Sequence, residues 1–342
     1  MTLLAAAGPT ETSSVAHPCR TDHDRSHRSV ARRILSELMR YRRIAGDDAP
    51  CELGCRKCHA PHIEKIVACL KNGEPLVLVL PAFPGKSPNP AKVLGPLPDM
   101  AEQRALQFLN SVCQRLELLH PPGVRMVLCS DGRVFSDVVG MDEAHVTRYQ
   151  DELDAMITSL ELSHISTFNL DQVFERADFD TMRASLMARY GTSLETLQET
   201  VRRGAKSPDD ADARQAHRMY CGITRFLFED ACHPNQTQSR SSLQRECRQR
   251  AYEVIRRSNA WSGFVAEQFP NAIRLSIHPQ ACGSEKFGIR MFGSESWMTP
   301  WHGVALDSGK EFVIVKRTEA EAMGARLVMS EEGRPSHFEL VV

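Results

Sequence analysis

The chain has 342 residues, 42% hydrophobic and 25% charged, enough to bury a full core as one large or two modest domains and too apolar for wholesale disorder. Its 42 Lys and Arg balance 43 Asp and Glu, so the basic excess usual in nucleic-acid binding is missing and small-molecule partners are expected. The longest apolar runs, such as 76–80, fall far short of the roughly 18 residues of a membrane span, and eleven cysteines in so charged a chain fit buried thiols of a reducing cytoplasm better than a disulfide framework.

In chain order, residues 1–27 are polar and aperiodic, which predicts a disordered leader ahead of a single α/β catalytic domain over 28–342. Val30, Ile34, Leu35, Leu38 and Met39 recur at helical spacing and predict a helix over 29–44; a second runs over 61–71. The proline-bounded run PLVLVLP at 75–81 reads as a buried parallel strand. A helix over 99–119 follows, closed by Pro121-Pro122-Gly123, then a strand at 124–129, a helix over 141–160 and a weaker strand at 163–170. Residues 171–257 read almost wholly as helix, a helical subdomain with capping-box starts at Thr192 and Ser241. Strands resume at 272–277, 287–292, 311–316, 326–329 and 337–341. The fold class expected is a Rossmann-like layered, mostly parallel sheet with a helical insertion and a β-rich C-terminal part.

Three segments carry the candidate chemistry. LPAFPGKSPNPAKVLGPLPD (80–99) leaves the carboxyl end of the first strand, where ligands bind in open α/β sheets. Its prolines stiffen the backbone, while Lys86, Ser87, Asn89 and Lys92 offer donors for a phosphate or carboxylate; a connective surface loop is the alternative. LCSDGRVFSD (128–137) places Ser130, Asp131 and Arg133 at the same edge, with Asp131 able to take a proton and Asp131-Gly132 equally readable as a turn. RLSIHPQACGSEKFGIRMF (274–292) brings His278, Lys286 and Arg290, and WMTPWHG (297–303) sets Trp297 and Trp301 beside His302. Tryptophans in a loop suit an aromatic ligand and histidine suits proton transfer, although either Trp alone reads equally as core.

Together, LPAFPGKSPNPAKVLGPLPDMAE (80–102), SDGRVFSDVVG (130–140) and RLSIHPQACGSEKFGIRMFGSESWMTPWHGVAL (274–306) resemble the isocyanide synthase family, over about residues 30–340. The resemblance implies an enzyme that needs no cofactor and joins L-tyrosine or L-tryptophan to ribulose 5-phosphate as co-substrate. The amino nitrogen would condense with the C2 ketone as an imine, and carbon–carbon cleavages would leave C2 as the isocyanide carbon. In that frame Lys86, Ser87 and Lys92 form the phosphate site, Arg133 or Arg290 the carboxylate clamp, and Asp131, His278 and His302 carry protons. The rival readings are another phosphosugar-dependent aldolase or transferase, and a non-enzymatic ligand-binding protein. The enzyme is expected in the cytoplasm, with a homodimer the assembly considered, and without nucleic acid or membrane.

Two further signals are set aside. Cys51-x3-Cys55-x2-Cys58, with His59 and His62 close by, matches iron–sulfur and zinc spacings, but short matches arise easily in an eleven-cysteine chain, so no metal is assigned and a structural zinc is the most it suggests. The Arg-rich stretch 240–257 has one apolar face and reads as a helix with a solvated basic side.

Overall fold

The computed structural model describes residues 19–45, 51–174, 177–207, 209–233, 236–294, 296 and 298–340. The PLVLVLP run forms β1 (Leu76–Pro81), and β2 (Val124–Cys129), β3 (Ile165–Phe168), β4 (Ile273–Ser276) and β5 (Phe287–Gly288) join it in one sheet. Their order is β3-β2-β1-β4-β5, and every pairing is parallel. β1 is central and covered on both faces, which is why its sequence is continuously apolar instead of alternating.

The pleat still sorts its side chains. Leu76, Leu78 and Leu80 enter one core with Ile34, Leu35 and Leu38 of α1 (Cys19–Met39), Ile66 of α2 (Arg56–Asn72), Leu106 and Leu109 of α3 (Met100–Glu117), and Tyr149 of the helix Glu143–Ser159. Val79 faces the opposite way, onto a core holding Met182 and Leu186 of the helix Phe179–Tyr190 and Trp261 and Phe264 of the helix Arg240–Gln268. In chain order the remaining helices are α4 (Gly132–Val139), α5 (Glu143–Ser159), α6 (Phe179–Tyr190), α7 (Leu194–Lys206), α8 (Ala211–Ala231), α9 (Arg240–Gln268) and α10 (Arg317–Ala322). A second sheet of β6 (Val304–Asp307), β7 (Phe312–Val315), β8 (Arg326–Met329) and β9 (Pro335–Glu339) has the order β7-β6-β9-β8, with only β6–β9 parallel.

Several boundaries differ from expectation. α1 begins at Cys19, so residues 19–27 of the expected leader are helical, and residues 1–18 lie outside the described residues. α2 begins at Arg56 and takes Pro61 into its second turn, where the proline has no N–H to give to Lys57 O and its ring crowds that carbonyl. Asp131-Gly132 is no free-standing turn but the start of α4. Of the strand expected at 287–292, only Phe287 and Gly288 pair with β4. Beyond them Ile289 bridges to Arg42, and Ile44 bridges to Gln280, so residues 42–45 strap the sheet edge.

Candidate active site

The strand order reverses between β1 and β4, and in open parallel sheets the ligand crevice lies outside the carboxyl ends of the strands at that point. Phe83, just past β1, holds φ at 60°, a left-handed value costly for an aromatic residue and of the kind that clusters at functional sites. Its neighbours hold it there. Ser130 Oγ donates to Phe83 O at 2.8 Å, the Phe83 ring packs 5.2 Å from that of Trp301, and Ser87 N donates to Trp301 O at 2.9 Å. Gly132 has no alternative, because a Cβ there would stand 2.0 Å from Pro84 O.

Four expected residues gather around this edge. Asp131 follows β2, partly open to water yet surrounded by protein; burial pushes its carboxyl up to about 7, and Oδ1 has no hydrogen-bond partner. His302, on the turn Pro300–His302, touches the Phe226 ring edge-on at 4.6 Å, and its Nδ1 is likewise unpartnered. Burial pushes His302 down to about 4, against the opposing pull of Asp230. It therefore stays neutral at pH 7, and the near-neutral titration expected of its imidazole belongs instead to Asp131. His278 follows β4 and lies within electrostatic reach of His302 and Lys286. The residue is exposed, yet protein atoms crowd it enough to oppose its charging, as beside the recess expected at this sheet edge. Burial, Arg43 and Lys286 lower its pKa. Lys286, just before β5, is pushed down to about 8 by burial and then by Arg274, with Glu285 opposing; its ammonium has no ion-pair partner among the described residues.

The phosphate loop is built differently from expectation. Lys86 is wholly buried, 2.8 Å from Asp99 and 2.7 Å from Glu102, and donates to Pro300 O at 3.1 Å. Burial works to lower its pKa, but the two carboxylates outweigh it and keep the ammonium charged. Its charge is thus spent inside the protein, which removes Lys86 as a direct phosphate ligand. Ser87 Oγ donates to Asp230 Oδ1 at 3.0 Å, and Lys92 Nζ pairs with the same oxygen at 2.5 Å while lying 5.5 Å from the centre of the Phe226 ring. Asn89 Nδ2 donates to Glu229 O and Cys232 O at the end of α8. The loop is therefore clamped to α8, and among its expected ligands only Lys92 keeps appreciable exposure.

Neither expected carboxylate clamp stands free. Arg133 pairs with Asp171 and lies over the Phe179 ring at 5.1 Å. Arg290 donates to Arg40 O at 2.6 Å, satisfying a carbonyl at the end of α1. Trp301 is 3% exposed and belongs to the core, so it offers no platform for a ligand ring; Trp297 lies outside the described residues.

The recess also contains residues that the sequence did not single out. Arg43, buried, donates to Ile277 O at 2.6 Å beside His278. Asp230 is buried with Oδ2 unpartnered, and borders a cavity of about 210 Å³ lined by Pro88, Gly140, Leu227, Leu243 and Arg250. Nothing in the pattern around either residue distinguishes it from its neighbours. Asp99-x-x-Glu102, by contrast, is a readable capping box, and both halves are formed at the start of α3.

Residues 66–328 match the model of a family described as pyoverdine/dityrosine biosynthesis protein. The chain is 42% identical over 311 residues to an L-tryptophan isonitrile synthase of Fischerella ambigua, covering 90% of this chain and 91% of that protein. It is 43% identical over 316 residues to an L-tyrosine isonitrile synthase of Pseudomonas aeruginosa, covering 90% and 93%. The crystal structure of the PvcA protein from Pseudomonas aeruginosa superposes with a TM-score of 0.84 at 43% identity, over 91% of this chain and all of that one.

Proposed function

The chain belongs to the pyoverdine/dityrosine biosynthesis protein family, and we propose that it is an isocyanide synthase that converts the α-amino group of L-tyrosine or L-tryptophan to an isocyanide with ribulose 5-phosphate as carbon donor. The likeness across nine-tenths of the chain to synthases named for both amino acids carries the isocyanide chemistry. The donor and the steps rest on the resemblance in its loops and on the recess.

The amine must be unprotonated to attack the C2 ketone, water must leave the carbinolamine, and two carbon–carbon bonds at C2 must break: C1 leaves as formaldehyde when its hydroxyl loses a proton, and C3–C5 depart with the C2–C3 electron pair, which takes up a proton. Asp131, with a carboxyl near 7, gives a proton to the departing hydroxyl and later takes one. Lys286, near 8, is neutral often enough to remove a hydroxyl proton and start a cleavage. His302, held neutral, orients the amine through its unpartnered Nδ1. Lys92, already paired with Asp230, and Arg43, which donates to Ile277 O and Ser296 O, act electrostatically on His302 and His278 and would shift from these partners to take the phosphate and the carboxylate. The reading draws on no cofactor, since both substrates supply the atoms, and it places the enzyme in the cytoplasm, in keeping with buried thiols at Cys69, Cys113, Cys129 and Cys247. No helix among the described residues is long and apolar enough to cross a membrane.

The test is incubation with each amino acid and ribulose 5-phosphate carrying carbon-13 at C2, with mass analysis of the isocyanide. Labelled isocyanide from one or both amino acids is the expected result. Unlabelled isocyanide would overturn the donor, and sugar turnover without isocyanide would favour an aldolase.

A further inference from the structure

Cys51, Cys55 and Cys58, read from the sequence as a chance spacing, meet a fourth cysteine from the far end of the chain. The sulfurs of Cys51, Cys55, Cys58 and Cys282 all lie within 4.8 Å of one another. Cys55 and Cys282 are 3.8 Å apart, Cys51 and Cys58 3.9 Å, and Cys58 and Cys282 3.2 Å. A tetrahedral zinc with Zn–S bonds of about 2.3 Å sets its sulfurs at the corners of a tetrahedron with edges of about 3.8 Å. The match is close. Four separate irons of a cubane cluster, each needing its own cysteine, would hold the sulfurs further apart.

Polar donors face the sulfurs. Arg42 Nη1 is 3.1 Å from Cys58 Sγ, a cation beside sulfur. The main-chain N–H of Cys58 points to the Cys55 sulfur and that of Gly283 to the Cys58 sulfur. Gly283 holds φ at +85°, and a Cβ there would stand 3.0 Å from Lys57 Cγ, so glycine lets the loop turn this donor onto the sulfur. Backbone donors aimed at ligating sulfurs, two cysteines spaced C-x2-C at a helix start and a glycine after a ligand are what a closed tetrathiolate site requires.

We propose that Cys51, Cys55, Cys58 and Cys282 bind one structural zinc ion. The four soft donors leave no open position for substrate, so the metal is not a reactant. Its place gives it a task. Cys282 lies on the β4–β5 loop between His278 and Lys286, whereas the other three introduce α2, and the chain between Cys58 and Cys282 spans 224 residues. A metal that closes so long a loop stabilises the fold by constraining the unfolded chain, and it pins a loop that carries two groups of the recess.

The experiment is elemental analysis of the full chain purified without chelator, with release of metal by a thiol-blocking mercurial followed with a metal-sensitive dye. About one zinc per chain, released as the thiols react, is expected. The double variant Cys55→Ser/Cys58→Ser should retain less than about a tenth of that zinc and melt at lower temperature. If the variant fails to fold, cobalt reconstitution of the wild-type chain should give the intense charge-transfer and d–d bands of a tetrahedral thiolate site. Protein free of metal with four reactive thiols, iron in place of zinc, or an intact mass showing a disulfide among the four would each overturn the assignment.

Discussion

Lys86 Nζ stands 2.7 Å from Glu102 Oε2, both side chains wholly out of water. Asp99 joins them, so two acids share one base. Burial raises the Glu102 carboxyl to about 7, Lys86 opposing and Asp99 adding, while Tyr149 donates to its other oxygen.

Lys86→Met should therefore destabilise the chain by about 3–5 kcal/mol, the usual cost of stranding a buried charge. Enzyme that remains folded should keep its apparent affinity for ribulose 5-phosphate. Chemical denaturation and steady-state kinetics on one preparation decide it; a large rise in KM for the sugar at unchanged stability would restore Lys86 to the phosphate site.

Asp131→Asn should lower kcat by roughly two to four orders of magnitude, the range of a positioned proton carrier. Its folded pKa is raised from 3.8 to about 7, so between those values the folded chain holds a proton that the unfolded chain has released. Stability accordingly falls as pH climbs through that window. The Asn variant should escape this loss and melt higher than wild type at pH 8 but not at pH 4. Melting curves that shift equally at both values would show that the carboxyl is not poised. His302→Ala, in contrast, should depress kcat and leave the pH of half-activity near 7 in place, because a group at about 4 does not set it.

For Lys286 the sign is reversed. Its folded pKa is depressed from 10.5 to about 8, so holding the ammonium charged costs stability below 8, and that cost fades as pH rises from 8 to 10.5. Lys286→Met should melt higher than wild type at pH 7 while kcat falls by about a hundredfold, and the alkaline rise in kcat/KM near pH 8 should vanish. An intact alkaline limb in the variant would assign that titration elsewhere.

Arg290→Ala should change KM for the amino acid by no more than about twofold, under roughly 0.5 kcal/mol, since its guanidinium is committed to Arg40 O. The loss should appear in stability instead, at about 1 kcal/mol for a hydrogen bond at a helix end. A tenfold rise in KM would reinstate it as the carboxylate clamp.

What could be read in advance follows from how far each signal reaches. β1 was legible to within a residue because a strand buried on both faces must be apolar throughout, and β2 was legible although exposed Arg125 interrupts its apolar run. α3 was legible from its apolar period and the Asp99 cap. α4 was not, because Asp131-Gly132 directly after a strand has the chemistry of a turn and hides the eight helical residues behind it. The caps at Ser193 and Ser239 were displaced by one and two residues, since neighbouring Thr192 and Ser241 offer the same chemistry. Asp131, His278 and Lys286 flank strands and His302 sits on a turn, positions readable from the sequence, but their protonation depends on burial, which no spacing records. Lys86 failed for the same reason in reverse: a lysine in a glycine- and proline-rich loop looks exposed until Asp99 and Glu102 fold onto it.

The strap at residues 42–45 also has a consequence for synthesis. Arg43 emerges from the ribosome 234 residues ahead of Ile277, whose carbonyl it will bind, and at about 5–20 residues per second that is a wait of roughly 10–50 s. A segment made early is thus among the last to be placed. Until β4 and β5 arrive, the open edge of β1 and the unclamped strap are exposed together, which makes the nascent chain a natural client for holding chaperones and any fragment ending before residue 277 unable to reach the native state.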